Sequence, residues 1–519
     1  VATPFFSIVT PVYDPAPRDL QATVDSVLAQ TFTDWEWIVV DDASPNPEVL
    51  AVLRSAAQAE PRIRVRERDS NGHIVRASND ALERATGEWV VLLDHDDLLE
   101  ATALERVAEA IAGSPGVGYV YTDEDKIGPD GTLTGEFRKP EWSPERLRHQ
   151  MYLGHLSALR HDLVRRVGGF RAGFDGSQDH DLALRVTELG DPVVHLPEVL
   201  YHWRIVPGST AGDTTAKDYA SEAGLRAVRD HLDRVGRAQD RVVMARIAHT
   251  YRTIRHLDPR TLVSVVIPTR GAHGLAWGVE RCFVLDAVLS LLAHTDHGLL
   301  EIVVVYDSDT PDDVLSSLRE TCGEALVLVE YARPFNFSEK CNLGYVRASG
   351  DVVVFLNDDV EIQSESFLEQ LCAPLEEPGV GMTGARLTFS DGTIQHAGHS
   401  YYADQFVHTL HGALDEDPGP FGALVVDREV SGLTAACVAL RREVIDEVGG
   451  FWTFLPSNFN DVDLSYKVRS TGRRLVWLAD VHATHFESRT RVSTVHEWEH
   501  RAILERWGTP EHDLYLPGV

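Results

Sequence analysis

Short runs of β-branched and aromatic residues recur along the chain without polar alternation. Residues 7–10, 37–40 and 89–93 read SIVT, WIVV and WVVLL. Runs of this length and character predict strands buried on both faces. Between them, residues 20–30 and 101–112 place apolar side chains at helical spacing. Strand and helix in alternation predict an α/β fold, a largely parallel sheet flanked by helices. Ligands of such sheets sit at the carboxyl ends of the strands. Pro11 follows the first run, Asp41 and Asp42 the second, and Asp94, Asp96 and Asp97 the third. These residues are expected to converge on one crevice.

The whole plan occurs twice. "FSIVTPVYDP" returns as "VSVVIPTRGA", "WEWIVVDDAS" as "LEIVVVYDSD", and "ALERATGEWVVLLDHDD" as "LGYVRASGDVVVFLNDD". "VRRVGGF" followed by "SQDHDLALRV" returns as "IDEVGGF" followed by "NFNDVDLSYKV". Four blocks in one order imply a duplicated domain of roughly 250 residues, not a short-period solenoid. The seam is expected near "HLDPRTLVSVV", giving domains 1–257 and 258–519. Residues 216–238 have helical spacing and would close the first copy.

Charge and cysteine content narrow the functional classes. The formal net charge of −32 disfavours nucleic-acid partners, because phosphates would be repelled. The five cysteines form no CxxC pair, which argues against a disulfide framework or a zinc cage and suits a reducing compartment. No apolar segment reaches the roughly 18 residues of a membrane helix. The N-terminal residues lack a signal-peptide layout, and the chain starts without Met. The expected location is the cytoplasm. Peripheral attachment to the inner membrane, through a segment outside this sequence, stays open.

The acidic blocks suggest specific chemistry. Carboxylates crowded at one strand end repel each other unless a cation sits among them. Hard divalent ions such as Mg²⁺ or Mn²⁺ take one or two carboxylates and share the remaining shell with substrate phosphates. Asp97 alone would be read as a helix cap, but the strand-end position and the repeat favour metal binding for the cluster. Asp181 and Asp463 fit first-turn helix acids. Asp179 and Asp461 are better placed to face the crevice as general bases. His202 follows a late strand in the first copy, and His482 and His485 do so in the second.

In series, "SIVTPVYDP", "VVDDAS", "LLDHDD" and "QDHDL" resemble inverting family 2 glycosyltransferases of the GT-A fold. "YTDEDKI", "FRKPEWSPERL" and "LYHWRIVPGST" resemble the subgroup that builds bacterial cell-surface polysaccharides, rhamnosyl and galactosyl transferases among them. The second half is similar in "VVIPTR", "NFSEKCNLGYVRASGDVVVFLNDDVEI" and "FNDVDLSYKVRSTG". The resemblance implies two tandem GT-A domains, each using a divalent metal and a nucleoside-diphosphate-sugar donor. It implies that Pro11 and Tyr13 flank the nucleotide base, and that Asp42 pairs with the base ring with Asp41 beside it. Asp94 and Asp96 match the DxD motif, Asp96 as the direct metal ligand. Asp179 matches the catalytic base and His202 the late histidine near diphosphate and metal. The second-half counterparts are Pro268, Asp307, Asn357, Asp359, Asp461 and His485. Asn79 and Asn342 are equivalent to each other, and either hold the nucleotide end or serve the helix.

The second copy departs at three places: Tyr306 replaces the first acid of the base-binding pair, Asn357 the first Asp of DxD, and Arg270 stands where Tyr13 was. Asn357 still offers a carbonyl oxygen, so two active sites are expected. The implied function is bifunctional transfer of sugars to a growing bacterial surface glycan, with an oligosaccharide or lipid-linked acceptor. The alternative is one active domain beside a carbohydrate-binding scaffold. Trp142, Tyr152 and His155 offer flat faces to an acceptor, though packing explains each as well. His396 and His399 are spaced for metal but lack a third ligand. A pyrophosphorylase would need a glycine-rich basic N-terminal loop, and an oxidoreductase a GxGxxG after its first strand; the chain has neither.

Overall fold

The computed structural model describes residues 3–205, 218–486 and 495–518. It divides into two compact units, Val1–Thr253 and Ile254–Pro517. In the first, a nine-stranded sheet runs in the order Ile63–Glu67, Trp35–Asp41, Phe6–Val12, Trp89–Leu92, Ser157–Arg160, Tyr119–Ile127, Val193–Arg204 and Leu98–Leu99, with Leu133–Phe137 paired to Tyr119–Ile127. The first four are parallel to one another, Ser157–Arg160 is antiparallel to the strand on each side, and Tyr119–Ile127 and Val193–Arg204 are again parallel.

The second unit repeats this order with Leu326–Tyr331, Leu300–Asp307, Val263–Thr269, Val352–Leu356, Cys437–Arg441, Val380–Thr388, Arg474–His485 and Val360–Ile362. Each pairing keeps the direction of its counterpart. The duplication read from the sequence is therefore a duplication of topology.

Alternation along each inner strand explains the uninterrupted apolar runs. Ile8, Trp37 and Val39 enter one core cluster, while Val9, Ile38 and Val40 enter another on the opposite face. In the second unit Val265 and Ile267 face one core and Val266 the other. Helices cover both faces, so each such side chain contributes about 1.5–3 kcal/mol by leaving water. The expected helices appear as Pro17–Leu28 and Ala103–Gly113, each begun or ended within a few residues of its periodic stretch. Of the closing helix, Asp218–Arg234 is seen, and its first two expected residues fall outside the described ones.

Two polar devices recur and hold the frame. Buried Glu36 accepts from Ser7 Oγ at 2.6 Å and from the Thr86 amide at 2.6 Å; Glu301 accepts from Ser264 Oγ at 2.6 Å and the Ser349 amide at 2.8 Å. Asn79 clamps the turn at Phe170, donating to its carbonyl at 2.9 Å and accepting its amide at 3.0 Å. Asn342 does the same at Phe451, at 2.9 Å each way. The clamp requires glycine at 169 and 450: both have positive φ, and a Cβ there would lie 2.7 and 2.5 Å from the asparagine oxygen. Among the described residues, no helix is long and apolar enough to cross a membrane.

Candidate active sites

In the first unit, three loops meet at the carboxyl end of the sheet. Asp94, Asp96 and Asp97 leave strand Trp89–Leu92 together, and each is treated differently. Asp97 is buried and accepts from Tyr201 Oη at 2.6 Å and from the Arg204 amide at 2.7 Å. It fixes the loop to the late strand and is not a helix cap; the helix that follows has Thr102 at its N-cap position, with no side-chain capping bond. Burial raises the Asp96 carboxyl, and Asp94 beside it raises it further. Asp94 is 43% exposed and faces the crevice.

His155 reaches the same place from the loop before Ser157–Arg160. Its Nε2 lies 3.7 Å from Asp94 Oδ2, and its ring stacks on Tyr201 with centroids 4.5 Å apart. Its Nδ1 is buried without a hydrogen-bond partner. A buried ion pair sets this loop: Lys139 Nζ donates to Glu124 Oε2 at 2.8 Å and to the carbonyls of Leu153 and His155 at 2.6 and 2.5 Å. Glu124 Oε2 in turn accepts the His155 amide at 2.9 Å. Asp179 lies in the first turn of helix Gln178–Thr187 and accepts the His180 amide at 2.8 Å. Burial raises its carboxyl; His155 opposes that shift and Asp94 adds to it. Asp179, Asp94 and His155 thus share one electrostatic site.

The nucleotide end has a separate arrangement. Asp42 is buried, accepts the Gly72 amide at 2.8 Å and pairs with Arg68 Nε at 2.9 Å. Asp41 accepts the Ser44 amide at 3.1 Å through Oδ2, while its buried Oδ1 has no partner. Tyr13 is half exposed at the rim. The Pro11 carbonyl lies 3.2 Å from His95 Nδ1, tying the first strand to the acidic loop.

The second unit assembles a tighter cluster. His485 Nε2 lies 3.1 Å from Asp359 Oδ1 and 3.4 Å from Asn357 Nδ2, and its Nδ1 is 2.7 Å from Gln395 Oε1. Asn357 Oδ1 is buried with no partner. Asp461 accepts the Val462 amide at 2.8 Å and the Ala435 amide at 3.4 Å, and the neighbouring Ala436 carbonyl accepts the Asn357 amide at 2.9 Å. The backbone of 435–436 therefore holds the acid and the Asn357 loop side by side. Asp307 pairs with Lys340 Nζ at 2.8 Å, which also donates to the Thr269 carbonyl beside Pro268. Asp358 is pushed up to about 7 by burial and by Asp359, against a hydrogen bond from Thr269.

Comparison with known sequences decides the family. The signature described as Glycosyl transferase family 2 spans residues 7–168, and that described as Glycosyltransferase like family 2 spans 259–507. The chain is a tandem member of glycosyltransferase family 2. The "Uncharacterized protein y4gI" of Sinorhizobium fredii is 39% identical over 94% of the chain and 54% of its own length. The "O-antigen biosynthesis protein RfbC" of Myxococcus xanthus is 35% identical over 99% of the chain and 40% of its own length. The chain thus spans about half, or less, of these relatives. Among solved structures, TarS of S. aureus overlaps 44% of the chain and 65% of its own, at 18% identity and a TM-score of 0.36. Both halves have the GT-A architecture, with parallel inner strands and acids at their carboxyl ends.

Within this family 2 pair, several residues differ from expectation. His202 does not join the acidic crevice: its Nδ1 is 2.7 Å from Asp125 Oδ1 and its Nε2 3.4 Å from Glu100 Oε2. The reason is register. Leu98 faces His202, whereas Val360 faces His485, although sequence alignment pairs Leu98 with Glu361. A one-residue slip turns a strand side chain to the other face. Tyr201 and Trp203 therefore look into the crevice, both touching His155, and His202 looks away. Asn79 and Asn342 serve the Gly-Gly-Phe turns, the helix-side role of the two expected, each spending one N–H and one acceptor position there. Asp181 and Asp463 are buried ion-pair anchors, Asp181 to Arg185 at 2.6 Å and Asp463 to Lys467 at 3.1 Å. Tyr152 is buried and accepts the Ser143 amide, so it is unavailable to an acceptor, and Trp142 packs against the core. His482 Nε2 lies 2.9 Å from Thr388 Oγ1, away from the second cluster.

Proposed function

We propose that each half transfers a glycosyl group from a nucleoside-diphosphate sugar to a growing bacterial surface glycan, with inversion at the anomeric carbon. The observation that carries this reading is the placement of acids at the carboxyl end of both sheets: Asp94 with His155 in the first half, near enough to the first-turn Asp179 for both to shift its carboxyl, and Asp359 with His485 and Asn357 in the second, where residues 435–436 hold Asp461. The donor sets fit a divalent cation: Asp94, Asp97 and His155, with one ligand atom each within 4.8 Å of the others, in the first half, where Asp96 adds a further carboxylate to the same loop, and the partnerless oxygen of Asn357 with Asp359 and His485 in the second. Bound there, Mg²⁺ or Mn²⁺ supplies Lewis-acid stabilisation of the departing diphosphate.

The chain's own residues do the rest. Asp179, or Asp461, takes the proton of the acceptor hydroxyl as its oxygen bonds to the anomeric carbon. The bond from that carbon to the phosphate oxygen breaks, and the diphosphate leaves with the electron pair. Direct displacement inverts the centre, and such a base contributes about 10²–10⁴ in rate. A raised carboxyl, as at Asp179, is a stronger base once ionised than an exposed one. His155 takes the part first given to His202. Asp42 and Asp41 hold the base end in the first half, and Asp307 with Lys340 in the second. The name of the O-antigen relative supports a surface-glycan acceptor, and a lipid-linked one would draw the enzyme to the inner face of the cytoplasmic membrane.

Release of nucleoside diphosphate from a panel of sugar nucleotides, with and without an acceptor glycan, tests this reading. Asp179→Asn should abolish transfer of one sugar and Asp461→Asn that of another. Undiminished turnover in either variant removes that residue from its role.

A further inference from the structure

We propose that His396, His399 and His408 in the second half bind one divalent transition cation of the zinc type. This site is distinct from the oxygen-rich cluster at Asn357 and Asp359 and does not rest on the transferase reading. Strand Ile394–His396 ends at His396, and Gly398, with φ of +89°, turns the chain into the hairpin His399–Tyr402 and Gln405–His408. A Cβ at 398 would lie 2.5 Å from Val430, so the turn is closed to other residues. The hairpin register sets His408 directly opposite His399.

The three rings meet. Centroids are 4.9 Å apart for His396 and His399, 5.1 Å for His396 and His408, and 4.6 Å for His399 and His408. One nitrogen from each lies within 4.8 Å of the other two. His396 and His399 are 1% and 4% exposed. Burial pushes His399 down to about 3, and lowers His396 and His408 as well, so all three are neutral and carry a lone pair at pH 7.

Hydrogen bonding within the protein leaves one nitrogen of this cluster unaccounted for. His399 Nδ1 is buried with no hydrogen-bond partner, and an orphaned nitrogen is destabilising unless something occupies it. Imidazole sets select zinc, cobalt, nickel or copper over Mg²⁺ and Ca²⁺. Three protein ligands also leave a fourth position open, as catalytic zinc sites do. Beyond the cluster itself, Asp461, His411 and His485 are the groups whose charge acts on His408.

Proton balance can be followed atom by atom. His396 Nε2 accepts the Thr434 amide at 3.2 Å, so its Nδ1 carries the proton and points at His408 Nδ1, 2.9 Å away. On binding, that proton moves to Nε2 while Nδ1 takes the cation. The Thr434 amide gives up its hydrogen bond, and no net proton leaves the ring.

The test uses the untagged full chain, stripped with EDTA and then dialysed against Zn²⁺ in excess Mg²⁺, with Co²⁺ as a spectroscopic probe. The expected result is one Zn²⁺ per chain that Mg²⁺ does not displace, and visible d–d bands of four-coordinate Co²⁺. Both should survive Asp359→Asn. His399→Ala and His408→Ala should weaken Zn²⁺ binding by at least about 100-fold, with near-UV circular dichroism confirming the fold of each. Should His399→Ala unfold, His399→Gln replaces it. Failure of the wild-type chain to retain Zn²⁺, or unchanged retention in the histidine variants, overturns the proposal.

Discussion

Lys139 is where a single methylene-for-charge exchange should disturb both stability and the first site. It is fully buried, and its ammonium donates to Glu124 and to two carbonyls. Lys139→Met keeps the side-chain volume and removes all three bonds. Breaking one partner out of a buried pair costs about 3–5 kcal/mol, because the other charge is left uncompensated. A buried glutamate sheds that penalty by taking a proton, which from a reference value near 4.3 costs about 3.7 kcal/mol at pH 7. The charge contribution is therefore capped near that figure. Two carbonyls that lose a donor add about 1 kcal/mol each. The sum, about 4–6 kcal/mol, approaches the whole stability of a typical domain. Urea unfolding followed by tryptophan fluorescence should show one of two transitions displaced to low denaturant and the other unmoved. Adding Glu124→Leu should restore part of the loss, since an apolar pair replaces a buried ionic one at little cost. An unshifted transition in Lys139→Met would refute the claim that this pair supports the His155 loop.

Other expectations follow from the same geometry. His155→Ala should weaken Mn²⁺ binding by the first half about 10-fold or more, read by electron paramagnetic resonance, while His202→Ala leaves it unchanged; the reverse order would restore His202 to the site. Asn79→Ala should cost about 2 kcal/mol through two lost hydrogen bonds, measured by denaturation, with no change in donor KM. The buried histidines make the second half acid-sensitive. Their folded values lie below the unfolded 6.5, so the unfolded chain binds more protons between roughly pH 3 and 6.5. Stability should be intact above 6.5 and fall as pH drops through that window, and His399→Phe should reduce the slope by about 1.4 kcal/mol per pH unit. A metal-free chain whose denaturation midpoint is flat from pH 7 to 5 would contradict this.

Much of this architecture is legible in the sequence. Runs such as 37–40 are apolar on successive residues because both faces of the strand are covered, and the acids that end those runs mark the sheet edge where ligands bind. Repetition carried Asp179 and Asp461 correctly to first turns of helices. What escaped was register and long-range partnership. Whether His202 or Trp203 looks into the crevice depends on a bulge between Thr122 and Glu124, which shifts the ladder without leaving a mark on local composition. Sequence also shows the Lys139–Glu124 pair only as two charged residues, although "YTDEDKI" and "FRKPEW" together contain it. His408 sits nine positions after His399 and becomes its neighbour only because residues 403–404 form a hairpin turn, a feature helical or strand periodicity does not reveal. The asparagine clamps were legible only as a recurrence: Asn79 and Asn342 each precede a Gly-Gly-Phe, but by 91 and 109 residues to the phenylalanine, so no fixed spacing joins the side chain to its turn.

The central claim is that each half carries its own cation-assisted crevice built from strand-end acids. Titration of the full chain with Mn²⁺ in the presence of a saturating nucleoside diphosphate, followed by electron paramagnetic resonance, tests it most directly. The account predicts two bound Mn²⁺ per chain, one lost in Asp96→Asn and the other in Asp359→Asn. A stoichiometry that neither substitution changes would contradict it.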